Sequence, residues 1–162
     1  MPLETIYICE KNIMKPFIVL LATFSLLLIS TKLYGNTYDF KLSGRVALII
    51  MLLFTSIAHF IYTKGMAAMI PQPIPYKKEV VLFTGILEIL FAISLLFPTI
   101  SIQVGWGLIL FLLLITPANI YGAIASINYQ NINSLGPGIS YLWIRIPIQI
   151  IYLCWVYFFI IK

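Results

Sequence analysis

Five apolar runs of about twenty residues each constrain this chain more than any motif in it. A helix needs about 20 mostly apolar residues to cross a hydrocarbon core of about 30 Å, and lipid tolerates only segments that satisfy their own backbone hydrogen bonds. The runs lie at about 14–34, 43–63, 79–97, 101–125 and 140–161 of 162 residues. Charge is correspondingly scarce: 9% of residues are charged and 62% hydrophobic, against about a quarter charged in soluble domains. The predicted fold is all-α, a transmembrane bundle of five segments forming a single domain over 14–162, with the lipid bilayer as its first partner. Met14-Lys15 reads as a natural start, which makes residues 1–13 an N-terminal extension, expected to be disordered.

The connections differ in kind. Residues 35–42 form a short polar loop, and the turn at Pro98-Thr99 is brief enough to force its flanking segments into an antiparallel hairpin. Residues 64–78 form a long connection with Pro71, Pro73 and Pro75 at alternating positions, each pushing its predecessor toward extended geometry. Met66, Met69 and Ile70 make that loop apolar, so it is expected at the membrane interface or capping the bundle. Residues 126–139 are polar, uncharged and contain a Gly-Pro-Gly turn. The first run, between Lys15 and Lys32, also has the shape of a secretory signal, but no small-x-small cleavage site follows Ser30, which favours a retained helix. The net charge of +5 forms no basic stripe; its Lys and Arg flank the apolar runs, as in membrane proteins, so nucleic acid is dismissed. Their distribution between the two sides slightly favours a cytoplasmic N-terminus.

Four of the runs each carry one strongly polar side chain: His59, Glu88, Asn119 and Arg145. Segment order places all four toward the same side, where the second segment exits and the third enters. An ionisable residue inside a membrane is costly and marks a functional site by default. Helical neighbours three or four residues apart surround each with small or polar groups: Ser56 and Thr55 beside His59, Thr84 and Gly85 beside Glu88, Thr116 and Gly122 beside Asn119, Gln149 and Tyr152 beside Arg145. Pro117, ahead of Asn119, frees a backbone carbonyl on the preceding turn. Facing stripes of this kind predict one pocket of His59, Glu88, Asn119, Arg145 and Gln149, flanked by Ser56, Thr84, Gly85, Thr116, Pro117, Tyr121 and Tyr152. Arg145 and Glu88 are expected to pair, with His59 exchanging protons. The alternative is that these residues are interhelical hydrogen-bond glue.

Soluble-enzyme chemistry finds no support. Cys9 and Cys154 make neither a CxxC nor a metal-ligand spacing, and one histidine excludes a haem held by two histidines of one subunit. No metal site is expected, and no Walker, Rossmann or nucleophile-elbow motif is present. Trp106, Trp143 and Trp155 read as interfacial belt or packing, and Gly105 and Gly107 as close-packing positions.

The runs RVALIIMLLFTSIAHF, MIPQPIPYKKEVVLFTGILEIL, GWGLILFLLLITPANIYGAI and LWIRIPIQIIYLCWVYFF resemble the DoxX-like bacterial membrane proteins of the DoxX/DoxD superfamily. The resemblance covers about 43–160 and rests on Ser56–His59, the MIP-x-x-x-P of Met69–Pro75, the TG-x-x-E of Thr84–Glu88, the PAN-x-Y of Pro117–Tyr121 and the R-x-P-x-Q of Arg145–Gln149. It implies a four-helix core, here with one added N-terminal helix, in the bacterial inner membrane. It also implies an accessory subunit of a membrane redox system, with a quinone or other small lipophile as ligand, a redox protein as partner and homo-oligomers within reach, rather than a stand-alone enzyme. The competing expectation is a non-catalytic scaffold or a lipid or small-molecule transporter-like protein whose polar cluster is structural.

Overall fold

A computed structural model describes residues 14–131, 135–136 and 138–162; the expected extension at 1–13 and the proline of the Gly-Pro-Gly turn lie outside the described residues. The described chain is helical, with no strand and one isolated bridge between Ile127 and Leu135. Its helices are α1 (Lys15–Gly35), α2 (Phe40–Ile61), α3 (Thr63–Ala68), α4 (Lys77–Ser94), α5 (Ser101–Ile124) and α6 (Ser140–Val156). A 3₁₀ turn, Pro98–Ile100, leads into α5, and a π turn, Tyr157–Ile161, extends α6. Among the described residues, four helical stretches are long and apolar enough to cross a membrane: Lys15–Gly35, Phe40–Ile61, Pro98–Ile124 and Ser140–Ile161.

Local chemistry sets the helix ends. α1 opens with Pro16 in its first turn, where a missing N–H costs nothing, and stops at Asn36 in the left-handed conformation (φ 54°). Asp39 then caps α2 by accepting from the Leu42 amide at 2.9 Å. That cap explains why α2 begins at Phe40, earlier than the expected 43. The connection 64–78 is the main correction to the expected architecture: its first residues form α3 rather than loop. Gly65 in α3 permits this, because a Cβ there would collide with the Tyr129 backbone carbonyl, so α3 lies directly against the 126–139 connection. Beyond it, Ile74 closes a turn onto Pro71, and Lys77 Nζ donates to the Ile70 carbonyl at 2.8 Å.

α2 is the hub. All but one of its buried residues, Ser43, Gly44, Ala47, Leu48, Met51, Leu52 and Ser56, recur at helical spacing along one stripe, with Ile49 beside it, and α2 packs against α1, α3, α4 and the π turn. Gly44 admits the Phe159 ring, and Trp155 Nε1 donates to the Gly44 carbonyl at 3.0 Å, which pins α6 to α2. α1 adds Phe24 to this joint, its ring 4.9 Å from Trp155 and 5.3 Å from Phe159. Gly105 seats Ile160 and Ile161, and Gly107 meets Phe91, the expected close-packing positions. The outer face is apolar: Leu26, Leu33, Leu96, Leu110 and Leu114 are exposed, a surface suited to acyl chains and unsuited to water.

Candidate functional site

The end of the α2 stripe carries His59, and α4 presents Gly85 to it. A Cβ on Gly85 would lie 2.7 Å from His59 Cβ, so only glycine lets the two helices approach this closely. Glu88, one turn further along α4, thereby reaches the ring: His59 Nε2 lies 3.5 Å from Glu88 Oε1, and Glu88 is 6% exposed. The other ring nitrogen, Nδ1, is 3.1 Å from the Val81 carbonyl oxygen and 3.1 Å from Thr84 Oγ1. Thr84 also back-bonds to that carbonyl at 2.8 Å.

These contacts orient the ring. A carbonyl oxygen only accepts, so an Nδ1–H donates to Val81, whereas a bare Nδ1 accepts from the Thr84 hydroxyl; the tautomer of the ring decides between them. Nε2 faces the Glu88 carboxyl oxygen across 3.5 Å, so the ring and the acid are placed to exchange a proton.

On the other side of the cluster, α5 and α6 bring Asn119 and Arg145 together, with Arg145 Nη2 donating to Asn119 Oδ1 at 3.5 Å. Asn119 is oriented by its own amide, which donates to the Ile115 carbonyl at 3.2 Å. Arg145 lies within electrostatic range of Tyr141, Tyr152, Tyr129 and Glu88. Tyr129 and Tyr141 also line a crevice with Met69, Gly122, Ala123, Ile127 and Gly138, with room for about one water molecule.

The pocket anticipated from sequence is thus two adjoining pairs with a different pairing. Among the described residues, the single contact between oppositely charged groups within ion-pair distance is His59–Glu88. The expected Arg145–Glu88 pair is not formed: α2 presses His59 onto Glu88 at Gly85, and Arg145 turns to Asn119. Gln149 lies elsewhere, buried and donating to the Leu112 carbonyl at 2.8 Å. Thr116 shares that carbonyl at 2.9 Å, Ser56 back-bonds to Leu53 at 2.8 Å, and Tyr121 makes no side-chain hydrogen bond among the described residues. Tyr152 is buried, with its ring 6.4 Å from that of Phe17. Pro117, inside α5, leaves the Leu113 carbonyl without its usual amide donor. Sequence reasoning overlooked the Val81 carbonyl, Tyr129 and Tyr141. Tyr141 was within reach of it, one turn before Arg145 on the same helix face.

Two atoms in the cluster are left over. Glu88 Oε2 and Arg145 Nε are buried and have no hydrogen-bond partner among the described residues; the third such atom, Ser43 Oγ, belongs to the opposite end of α2. One orphan accepts and the other donates. Groups like these are rare in native interiors and call for an explanation.

Fold and cluster together define a helical bundle with helices of membrane-crossing length, in which a half-buried His59 meets a buried Glu88 and Arg145 meets Asn119. Residues 48–160 match the family described as Domain of unknown function (DUF8561), and the chain belongs to that family. The matched region runs from α2 to the π turn and contains the whole cluster; α1 precedes it. No curated protein and no solved structure matches the chain.

Proposed function

We propose that this chain is a multi-pass protein of the bacterial inner membrane, related to the DoxX-like proteins, in which the His59, Glu88, Asn119 and Arg145 cluster receives the oxygen-bearing head of a small lipophile. A quinone or its quinol is the ligand that suits it, and the protein acts as an accessory subunit of a membrane redox system with a redox protein as partner. α4 is the fifth spanning segment: at 1.5 Å per residue its 18 residues cover about 27 Å. Lys77, Lys78 and Glu79 stand at its mouth, and Glu88 is its single charge in the interior.

The observation that carries the reading is the complementary pair of orphans. A head presenting one acceptor oxygen and one hydroxyl offers a partner to Arg145 Nε and to Glu88 Oε2, and His59 beside Glu88 is the group to exchange a proton with a ligand oxygen. The fit favours a quinol over a purely accepting quinone. The test is thermal unfolding of the detergent-purified protein during titration with a short-chain quinone and its quinol. Saturating ligand at 100 times Kd stabilises a native state by about 2.7 kcal/mol, so a rise of several degrees is expected for the wild type and none for Glu88→Gln. No rise with either ligand contradicts the reading.

A structural reading has its own support in Gln149, whose buried amide ties α6 to the α5 backbone as interhelical glue does. For the cluster itself that reading leaves both orphans unexplained.

A further inference from the structure

The cluster divides between two halves of the bundle. α4 lies along α2 and α3, and α5 lies along α6, while α4 meets α5 only over a short stretch. His59 and Glu88 belong to the first half, Asn119 and Arg145 to the second. The halves are joined at both ends. At the far end Phe159 fills the space over Gly44, and Phe91 packs on Gly107 and on Phe111, with ring centroids 5.6 Å apart in the second contact. At the cluster end the Tyr129 backbone lies on Gly65 and Met69 on Gly122. α3 thereby caps the mouth, and the crevice beside it has room for about one water molecule. Between these joints the facing side chains are uncovered. The α5 face that meets Phe91 continues through Leu114 and Ala118; Phe111 is 6% exposed, whereas Leu114, one turn on, is 68% exposed. On α4 the corresponding face continues through Leu87 and Thr84, both half-buried. Along this seam Glu88 stands one turn from Phe91, and Asn119 two turns from Phe111.

We infer that the lipophile enters from within the bilayer, sideways through the seam between α4 and α5, and that its tail stays there against Leu87, Leu114 and Ala118. The inference rests on the lipophile reading above and adds to it the route and the form of the ligand, a polar head carried on an alkyl or isoprenoid chain. A head that meets both Glu88 and Arg145 sits between the halves, because each half supplies one of them. The capped mouth is too narrow for such a head, which leaves the uncovered seam as its passage. An apolar tail lying among apolar side chains gives up no hydrogen bond, whereas a wholly polar ligand taking the same route would lose its water.

The test is photo-cross-linking of the full chain in phosphatidylcholine vesicles, with a decyl quinol whose chain carries a diazirine. Peptide mass spectrometry locates the label, with and without an excess of the unlabelled decyl quinol. Labelling is expected within 83–91 and 111–118 and should disappear on competition. It should fall about tenfold in Leu114→Trp, which plugs the seam at an exposed position, and persist in Leu26→Trp on the outer face of α1. Competed labelling confined to other segments, such as 64–76 or 126–141, overturns the route and leaves the lipophile reading standing. An equal response of the two tryptophan variants does the same. No labelling, or labelling that the unlabelled quinol fails to displace, overturns both.

Discussion

At the scale of single residues, the cluster is governed by Gly85. The helix and the helix face that carry His59, Glu88, Asn119 and Arg145 follow from position and the 3.6-residue period. Partner choice does not, because periodicity gives a residue's face on its own helix but not how neighbouring helices approach. Opposite full charges made Arg145 and Glu88 the natural couple; the close approach at Gly85 gives Glu88 to His59 instead. Gly85→Ala should force α2 and α4 apart, since the nearest atom is a Cβ held close to the backbone rather than a yielding chain end. Overpacking of this kind costs about 1–3 kcal/mol, so thermal unfolding in detergent should show a Tm several degrees below wild type. An unchanged Tm would mean the two helices do not approach so closely.

Among the elements, those of membrane length were read to within a few residues, because long apolar runs with polar ends leave little choice. α3 was missed for a physical reason: a glycine at 65 and three prolines from 71 onward mark loop. Yet the prolines begin only after the helix has ended, and Gly65 is required where α3 meets the Tyr129 carbonyl. The proline-rich stretch that follows is tied back by Lys77 onto the Ile70 carbonyl. Lys77→Ala should free this loop while leaving the bundle core alone. Limited proteolysis within 70–76 should accelerate several-fold, and the Tm should change by no more than the roughly 1 kcal/mol of one hydrogen bond. Equal cleavage rates would show that the prolines alone hold the loop.

For the molecule as a whole, the account depends on α4 crossing the bilayer with the others. It differs from the other four in carrying four charges, Lys77, Lys78, Glu79 and Glu88, although three of them lie at its start. Single cysteines placed at Thr37, Gln72, Thr99 and Asn131, with Cys9 and Cys154 replaced by serine, report sidedness to a membrane-impermeant maleimide in intact cells. Five spans predict Thr37 and Thr99 on one side and Gln72 and Asn131 on the other. Gln72 and Thr99 labelled from the same side would remove α4 from the set of spanning helices.

The most direct test of the ligand-binding cluster is native mass spectrometry of the protein taken from its own membrane into neutral detergent. The wild type should carry one small lipophile per chain, and Glu88→Gln and Arg145→Gln proteins of unchanged helicity should have lost it. Wild-type protein bare of any such ligand, or all three carrying the same lipid to the same extent, would contradict the account.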